Sequence, residues 1–348
     1  MKFLRFIAVI MLVLLPLRAV AQEEFDMDEY LYGHVTDSYE WHITTVNGKH
    51  VSIPLPVILF SRTSGAHCFL SSKLAHGHSH DGFSIAADGE KYEGKIVETL
   101  ADGSVVRPLD LSITKNVFSL MLSSILLLVI ILSTARWYRR HDAMKEAPRG
   151  LPGIMEMLIM MVEDDIIKGC VGKDYKRYSP YLLTAFFFIF FNNLLGIVPF
   201  FPGGANVTGN IAVTLVLALF TFFAVNLFGN KHYWKEILWP DVPTWLKVPL
   251  PLMPVIEFVG IFTKPFSLMI RLFANIMAGH SVILILTCIV FVTVKMGAAV
   301  NASMSAVSIF LGIFMNCLEL LVAFLQAYVF TMLSSVFIGM AQEGGEHH

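Results

Sequence analysis

Between Pro265 and Ala341 the only Asp, Glu, Lys or Arg residues are Arg271, Lys295 and Glu319. A bilayer offers no partner for an unpaired amide, so a chain crossing it closes its backbone hydrogen bonds internally, here as helices. The two apolar stretches concerned run over about 255–296 and 303–340. At 1.5 Å per residue each exceeds the roughly 30 Å hydrocarbon core, so each must tilt or bend. Two adjacent tilted helices can wrap a curved partner. From Tyr178 to Asn230 no charged residue occurs at all. That length suits two more spans, about 178–200 and 208–230, broken at Pro199-Phe-Phe-Pro202-Gly-Gly.

Composition agrees with the pattern. Of 348 residues, 55% are hydrophobic and 15% charged, where soluble chains carry about 25% charged residues. The net charge of −2 argues against a nucleic-acid partner. Cys68, Cys170, Cys288 and Cys317 lack metal-type spacing and imply no disulfide framework. At the N-terminus, basic Lys2 and Arg5, an apolar Phe6–Leu17 core and Ala19-Val20-Ala21 read as a signal peptide over 1–21. An uncleaved anchor is the alternative, for which the apolar run is short.

Residues 22–112 read as a small β-rich extracytoplasmic region. Tyr39 to Ile53 has β-formers on both sides of Asn47-Gly48, a hairpin pattern, and Asp102-Gly103 marks a second turn. His76, His78 and His80 are ligand types, but they lack the acidic or cysteine partners of a closed metal site. A solvated loop is the reading taken, and no cofactor is expected. The first span, about 116–135, is followed by Arg136, Arg139, Arg140 and Lys145. The positive-inside rule puts that end in the cytoplasm, in agreement with the signal peptide. Residues 151–170 have helical apolar periodicity but too many charges to span. They form either an interfacial helix or an ordinary surface one. Asn206-Val-Thr208 matches a glycosylation sequon, read as chance. A polar tail covers 343–348.

The fold class expected is an all-α polytopic membrane protein. It has five transmembrane helices, including a long tilted antiparallel hairpin, and a small N-terminal β-rich region. The N-terminus lies outside and the C-terminus inside.

Ionisable residues within spans are costly and mark function by default. Glu257, Lys264, Ser267, Arg271 and Asn275 are 7, 3, 4 and 4 residues apart, which puts them on one helical stripe. Asn316, Glu319, Ala323 and Gln326, spaced 3, 4 and 3, form another, where small Ala323 allows close helix approach. His280, nine residues past Arg271, projects from roughly the opposite side. Interhelical hydrogen bonding is an adequate reading for Ser267, Asn316 and Asn275. It is inadequate for Glu257, Arg271, His280 and Glu319. Lys264 can snorkel to the cytoplasmic surface. Histidine and carboxylate exchange protons near neutral pH, whereas arginine keeps its charge. Such a set suits ion translocation, and no phosphate loop, nucleophile elbow or metalloprotease motif supports catalysis.

Lys264-Pro-Phe-Ser-Leu-Met-Ile-Arg271-Leu-Phe-Ala-Asn275-Ile-Met-Ala-Gly279 and Leu325-Gln326-Ala327-Tyr328 resemble the a subunit of F-type ATP synthase, also called subunit 6. Asn193-Leu-Leu-Gly-Ile-Val-Pro199 and the Pro-Val-Ile-Glu257 lead-in add to the likeness, which covers about 110–342. The resemblance implies a non-catalytic stator subunit of the proton channel in a bacterial inner membrane. It implies as partners the c-ring, the b subunits of the peripheral stalk and the whole ATP synthase complex. It makes Arg271 the essential arginine facing the ring carboxylate, with Gln326 and Asn275 beside it. His280 and Glu319 match a half-channel pair that relatives often carry in the reverse order, so the two are expected to approach each other. Glu257 and Ser267 match further polar positions. Gly196 stands where some relatives have a channel aspartate. The alternative is a stand-alone ion or proton-coupled transporter, for which the sequence lacks paired repeats.

Overall fold

The computed structural model describes residues 37–342 apart from 47–48, 75–77, 88, 101–102, 143–145, 199–202 and 240–251. The expected signal peptide, the Asn47-Gly48 turn, His76, the break at 199–202 and the tail lie outside the described residues.

β-Formers in residues 40–110 build three small antiparallel sheets. β1 (Glu40–Val46) pairs with β2 (Lys49–Pro54), with Val46 opposite Lys49. β3 (Pro56–Ser61), β4 (Gly65–Leu70) and β8 (Leu109–Asp110) form the second sheet, with β3 central. β5 (Phe83–Ile85), β6 (Ile96–Thr99) and β7 (Val105–Val106) form the third. Of the expected second turn, Asp102 lies outside the described residues; Gly103, between β6 and β7, takes φ +81°, a conformation that glycine adopts without a Cβ penalty.

Inward side chains alternate along the strands, and Val57, Leu59, Phe69, Phe83 and Ile96 make the core. Tyr39 donates to Asp110 Oδ2 at 2.5 Å. Burial first, and then this bond, push its phenol pKa up. The buried Glu98 carboxylate accepts from Ser61 at 2.5 Å, Thr63 at 2.7 Å and Ser64 at 3.1 Å. Those hydroxyls, Ser61 foremost, hold it below its usual pKa.

Five helical segments are long and apolar enough to cross a membrane: Lys115–Arg140, Leu151–Ile197, Ile211–Phe228, Met253–Met296 and Ala298–Gln342. The first is α1 (Lys115–Arg140), whose N-cap Thr114 accepts from Val117 N. It continues past the expected end at 135 into its basic residues. α2 (Leu151–Met160) runs on through a π-helical turn, Met161–Ile167, into α3 (Lys168–Val171). Only Gly172–Asp174, with Gly172 at φ +75°, separates this stretch from α4 (Tyr175–Ile197). α5 (Ile211–Phe228) is capped by Asn210 and followed by α6 (Lys231–Leu238). α7 (Leu252–Thr293) and α8 (Ala298–Gln342) close the chain.

The chain divides into two compact units, and α7 and α8 contribute to both. One contains Asp37–Met277 and Glu319–His348. Its core unites Leu182, Phe186 and Ile189 of α4 with Leu268 and Leu272 of α7 and Ala327 and Ile338 of α8. Trp41 of β1 packs with Ala205 and Val207, joined by Phe118 of α1 and Val213 of α5, which seats the hairpin on the helix ends. At the other end, Asn230 N and Nδ2 donate to the Ala341 and Gln342 carbonyls at 2.9 and 2.7 Å. Gln342 Nε2 donates to Tyr178 Oη at 2.8 Å. Orphan carbonyls at the end of α8 are thereby satisfied.

The other unit contains Ala278–Leu318. Its helical arms turn at Val294–Met296 and at Gly297, which has φ +108°. Thr293 Oγ1 donates to Asn301 Oδ1 at 2.9 Å, and Ser308 donates to the Leu286 carbonyl. Cys288 is buried.

Candidate functional site

In α7, Leu268, Leu272 and Ile276 recur every four residues and are buried. Ser267, Arg271 and Asn275 have the same spacing one residue earlier, and all three are exposed. One residue is about 100° of helical rotation, so the polar stripe runs beside the packed one. Arg271 makes no hydrogen bond or ion pair with any described residue. The guanidinium is thus held outward by a packed helix back, on a segment apolar enough to lie in lipid. An unpaired permanent charge in lipid is costly. Ser267 and Asn275 likewise lie on that face, so they do not serve as the interhelical bonds that the sequence also allowed.

Lys264 is half-buried, with Nζ 5.7 Å from the Phe337 ring centroid on α8. The cation finds an aromatic face there. Glu257, half-buried about two turns earlier, lies near the Tyr233 phenol.

On α8, Glu319, Ala323 and Gln326 are buried as one stripe. Asn316 is exposed and donates to the Gly312 carbonyl of its own helix at 2.8 Å. Ala323 does allow close approach: its carbonyl accepts Asn193 Nδ2 of α4 at 3.2 Å. His280 is half-buried and belongs to the unit that does not contain Glu319.

Sequence reasoning missed the group that holds this stripe. Asn193 Oδ1 accepts from Thr208 Oγ1 at 2.6 Å. The adjacent Asn192 accepts from Ser123 of α1 at 2.9 Å and donates to the Phe188 carbonyl at 2.7 Å. Asn206 Oδ1 accepts from Gly209 N at 2.9 Å. Consecutive asparagines in an apolar span were the available signal, because buried amides in lipid need partners. Asn206 and Thr208 are buried, so the sequon is spent on internal hydrogen bonds and leaves no room for a glycan. Gly196 lies close by, 3.8 Å from the Ala205 carbonyl if given a Cβ.

Away from the helices, His78 is exposed and His80 half-buried. The His80 ring stands edge-on to Phe69 at 5.1 Å. Its Nε2 lies 3.1 Å from Lys73 Nζ and 3.5 Å from Asp81 Oδ2. Among the described residues no three His, Cys, Asp or Glu side chains cluster as metal ligands.

A family model described as ATP synthase A chain matches residues 121–339. A second, described as a domain of unknown function, matches residues 30–112. The chain is 42% identical over 282 residues to ATP synthase subunit a of Pelodictyon phaeoclathratiforme, covering 79% of this chain and 77% of that one. It is 40% identical over 293 residues to the subunit a of Anaeromyxobacter dehalogenans, at 80% and 72% coverage. With the subunit a of Myxococcus xanthus it shares 42% identity over 262 residues, at 73% and 80%.

Proposed function

We propose that this chain, which belongs to the ATP synthase A chain family, is the stator subunit of the proton channel in that complex. The family supplies the coarse role, a membrane-sector subunit in proton translocation. The finer reading rests on one observation: Arg271 is turned outward on α7 with no partner among the described residues.

In this reading a ring of c subunits runs past the Arg271 face, and each ring carboxylate crosses lipid only when protonated, because a bare charge there is costly. Beside the guanidinium its pKa falls and it gives its proton to one half-channel. It reloads from the other half-channel after almost a full rotation. Arg271 carries no proton itself, since it cannot lose its own. Its fixed charge also keeps the two half-channels from joining. About 2.3 kcal/mol per charge per 100 mV drives the cycle.

Asn275 and Gln326 shape the exchange point, and His280 and Glu319 act as one proton-exchanging pair. Glu257 and Ser267 extend the polar path. The buried group around Asn193 holds α8 in register and offers polar contacts where Gly196 has no side chain. The chain lies in a bacterial inner membrane with its N-terminus outside, is held to b subunits of the peripheral stalk, and performs no ATP chemistry itself.

The deciding experiment is Arg271→Ala in membranes with normally assembled complex. ATP-driven proton pumping is expected to vanish while soluble-sector ATP hydrolysis remains. Normal pumping by that variant would refute the reading.

A further inference from the structure

The β4-β3-β8 sheet is apolar on both faces. Along β3, Val57 and Leu59 enter the core while Ile58 and Phe60 turn away from it, with the period of two that a strand imposes. The register sets Phe60 beside Leu109 and Ile58 beside Cys68. Leu111 N donates to the Ile58 carbonyl and Ile113 N to that of Pro56, which carries the ladder beyond β8. Phe60, Leu70, Leu109 and Leu111 are 44%, 48%, 63% and 56% exposed. An antiparallel sheet covering a core on one face normally presents polar residues on the other. Exposed apolar patches of this kind mark protein or membrane contacts.

Two observations select the occupant. The ladder holds to Ile113 and the membrane-crossing helix α1 begins at Lys115. At no more than ~3.6 Å per residue, the end of the ladder stands within about 7 Å of the first residue of that helix. Exposed basic residues stand at the margins of the face, Arg62 after β3 and Arg107 before β8. The neighbouring acids Asp110 and Glu98 are engaged by Tyr39 and by the serine and threonine hydroxyls.

We propose that this sheet face rests on the adjacent bilayer leaflet. Phe60, Leu70, Leu109 and Leu111 enter the boundary between headgroups and acyl chains, and Arg62 and Arg107 meet anionic headgroups. A basic apolar surface binds lipid through buried area together with electrostatic attraction. The proposal does not depend on which ion the helices move.

Cys68, exposed on this face, provides the test. The assembled complex, with its other cysteines replaced by serine, is spin-labelled at Cys68 and reconstituted into vesicles of phosphatidylglycerol and phosphatidylcholine. Collisional relaxation by oxygen is expected to exceed that by a water-soluble nickel chelate several-fold. Leu109→Cys with Cys68→Ser should behave alike, and Lys91→Cys, at an exposed position off this face, should show the reverse. Equal ratios at all three sites, meaning a face open to water, would overturn the proposal. Poor access for both reagents at Cys68 and Leu109→Cys would overturn it too, since that reports a protein cover. Arg62→Glu with Arg107→Glu should lower the oxygen-to-nickel ratio in these vesicles but change it little in phosphatidylcholine alone. An unchanged ratio would remove the basic margin from the proposal.

Discussion

Thr208 donates to Asn193 Oδ1 at 2.6 Å, and the same amide donates its Nδ2 to the Ala323 carbonyl at 3.2 Å. One asparagine therefore ties the loop before α5 to the stripe of α8 that carries Glu319 and Gln326. Asn193→Leu leaves the buried Thr208 hydroxyl without its acceptor, at a cost of about 1–3 kcal/mol. A lower dissociation temperature of the purified complex and reduced proton pumping are expected. Thr208→Ser, which keeps the donor, should stay close to the parent.

Gly339 sits where α8 crosses the end of α3, and a Cβ there would collide with the Cys170 carbonyl oxygen. Gly339→Val is expected to overpack this crossing by about 1–3 kcal/mol and to lower the amount of subunit recovered in assembled complex. Gly312→Ala, with nothing within 4 Å of the new Cβ, should leave recovery unchanged.

The Glu98 carboxyl is held below its ordinary pKa by the Ser61, Thr63 and Ser64 hydroxyls. A depressed folded pKa contributes stability above the unfolded value, and that contribution is lost as pH falls through the folded one. The strand-rich region should therefore loosen below about pH 4, seen as rising amide exchange in β6 within the intact complex. Glu98→Gln should flatten that dependence and lower protection at neutral pH.

If His280 and Glu319 act as one unit, exchanging them should matter less than removing either. His280→Ala and Glu319→Ala are each expected to reduce passive proton conductance through the membrane sector by about an order of magnitude, a rise of about 1.4 kcal/mol in the transfer barrier. The double variant His280→Glu with Glu319→His should recover most of the flux. A double variant no better than either single one would show that the two positions act separately.

Five membrane-length helices and the antiparallel pairing of β1 with β2 were legible because each depends on local pattern. Charge-free length demands internally bonded backbone, and β-formers flanking Asn-Gly demand a tight turn. The Arg271 stripe was legible for the same reason, since spacing along one helix fixes which residues share a side. The Asn192–Asn193 group was not, because its partners Ser123, Thr208 and Ala323 come from three distant segments. The contact of Lys264 with the Phe337 ring was not legible either, because the two are 73 residues apart.

By itself the sequence determined that this chain enters lipid, how often, and which residues would be too costly there without a purpose. Period and hydropathy are properties of a single segment, so no fold is needed to read them. The tertiary structure decided which side of each stripe is covered. Packing against α4 and α8 buries Leu268, Leu272 and Ile276, and it is this covered back that leaves Arg271 facing outward. Whether a helix face is filled or free depends on what the rest of the chain brings against it.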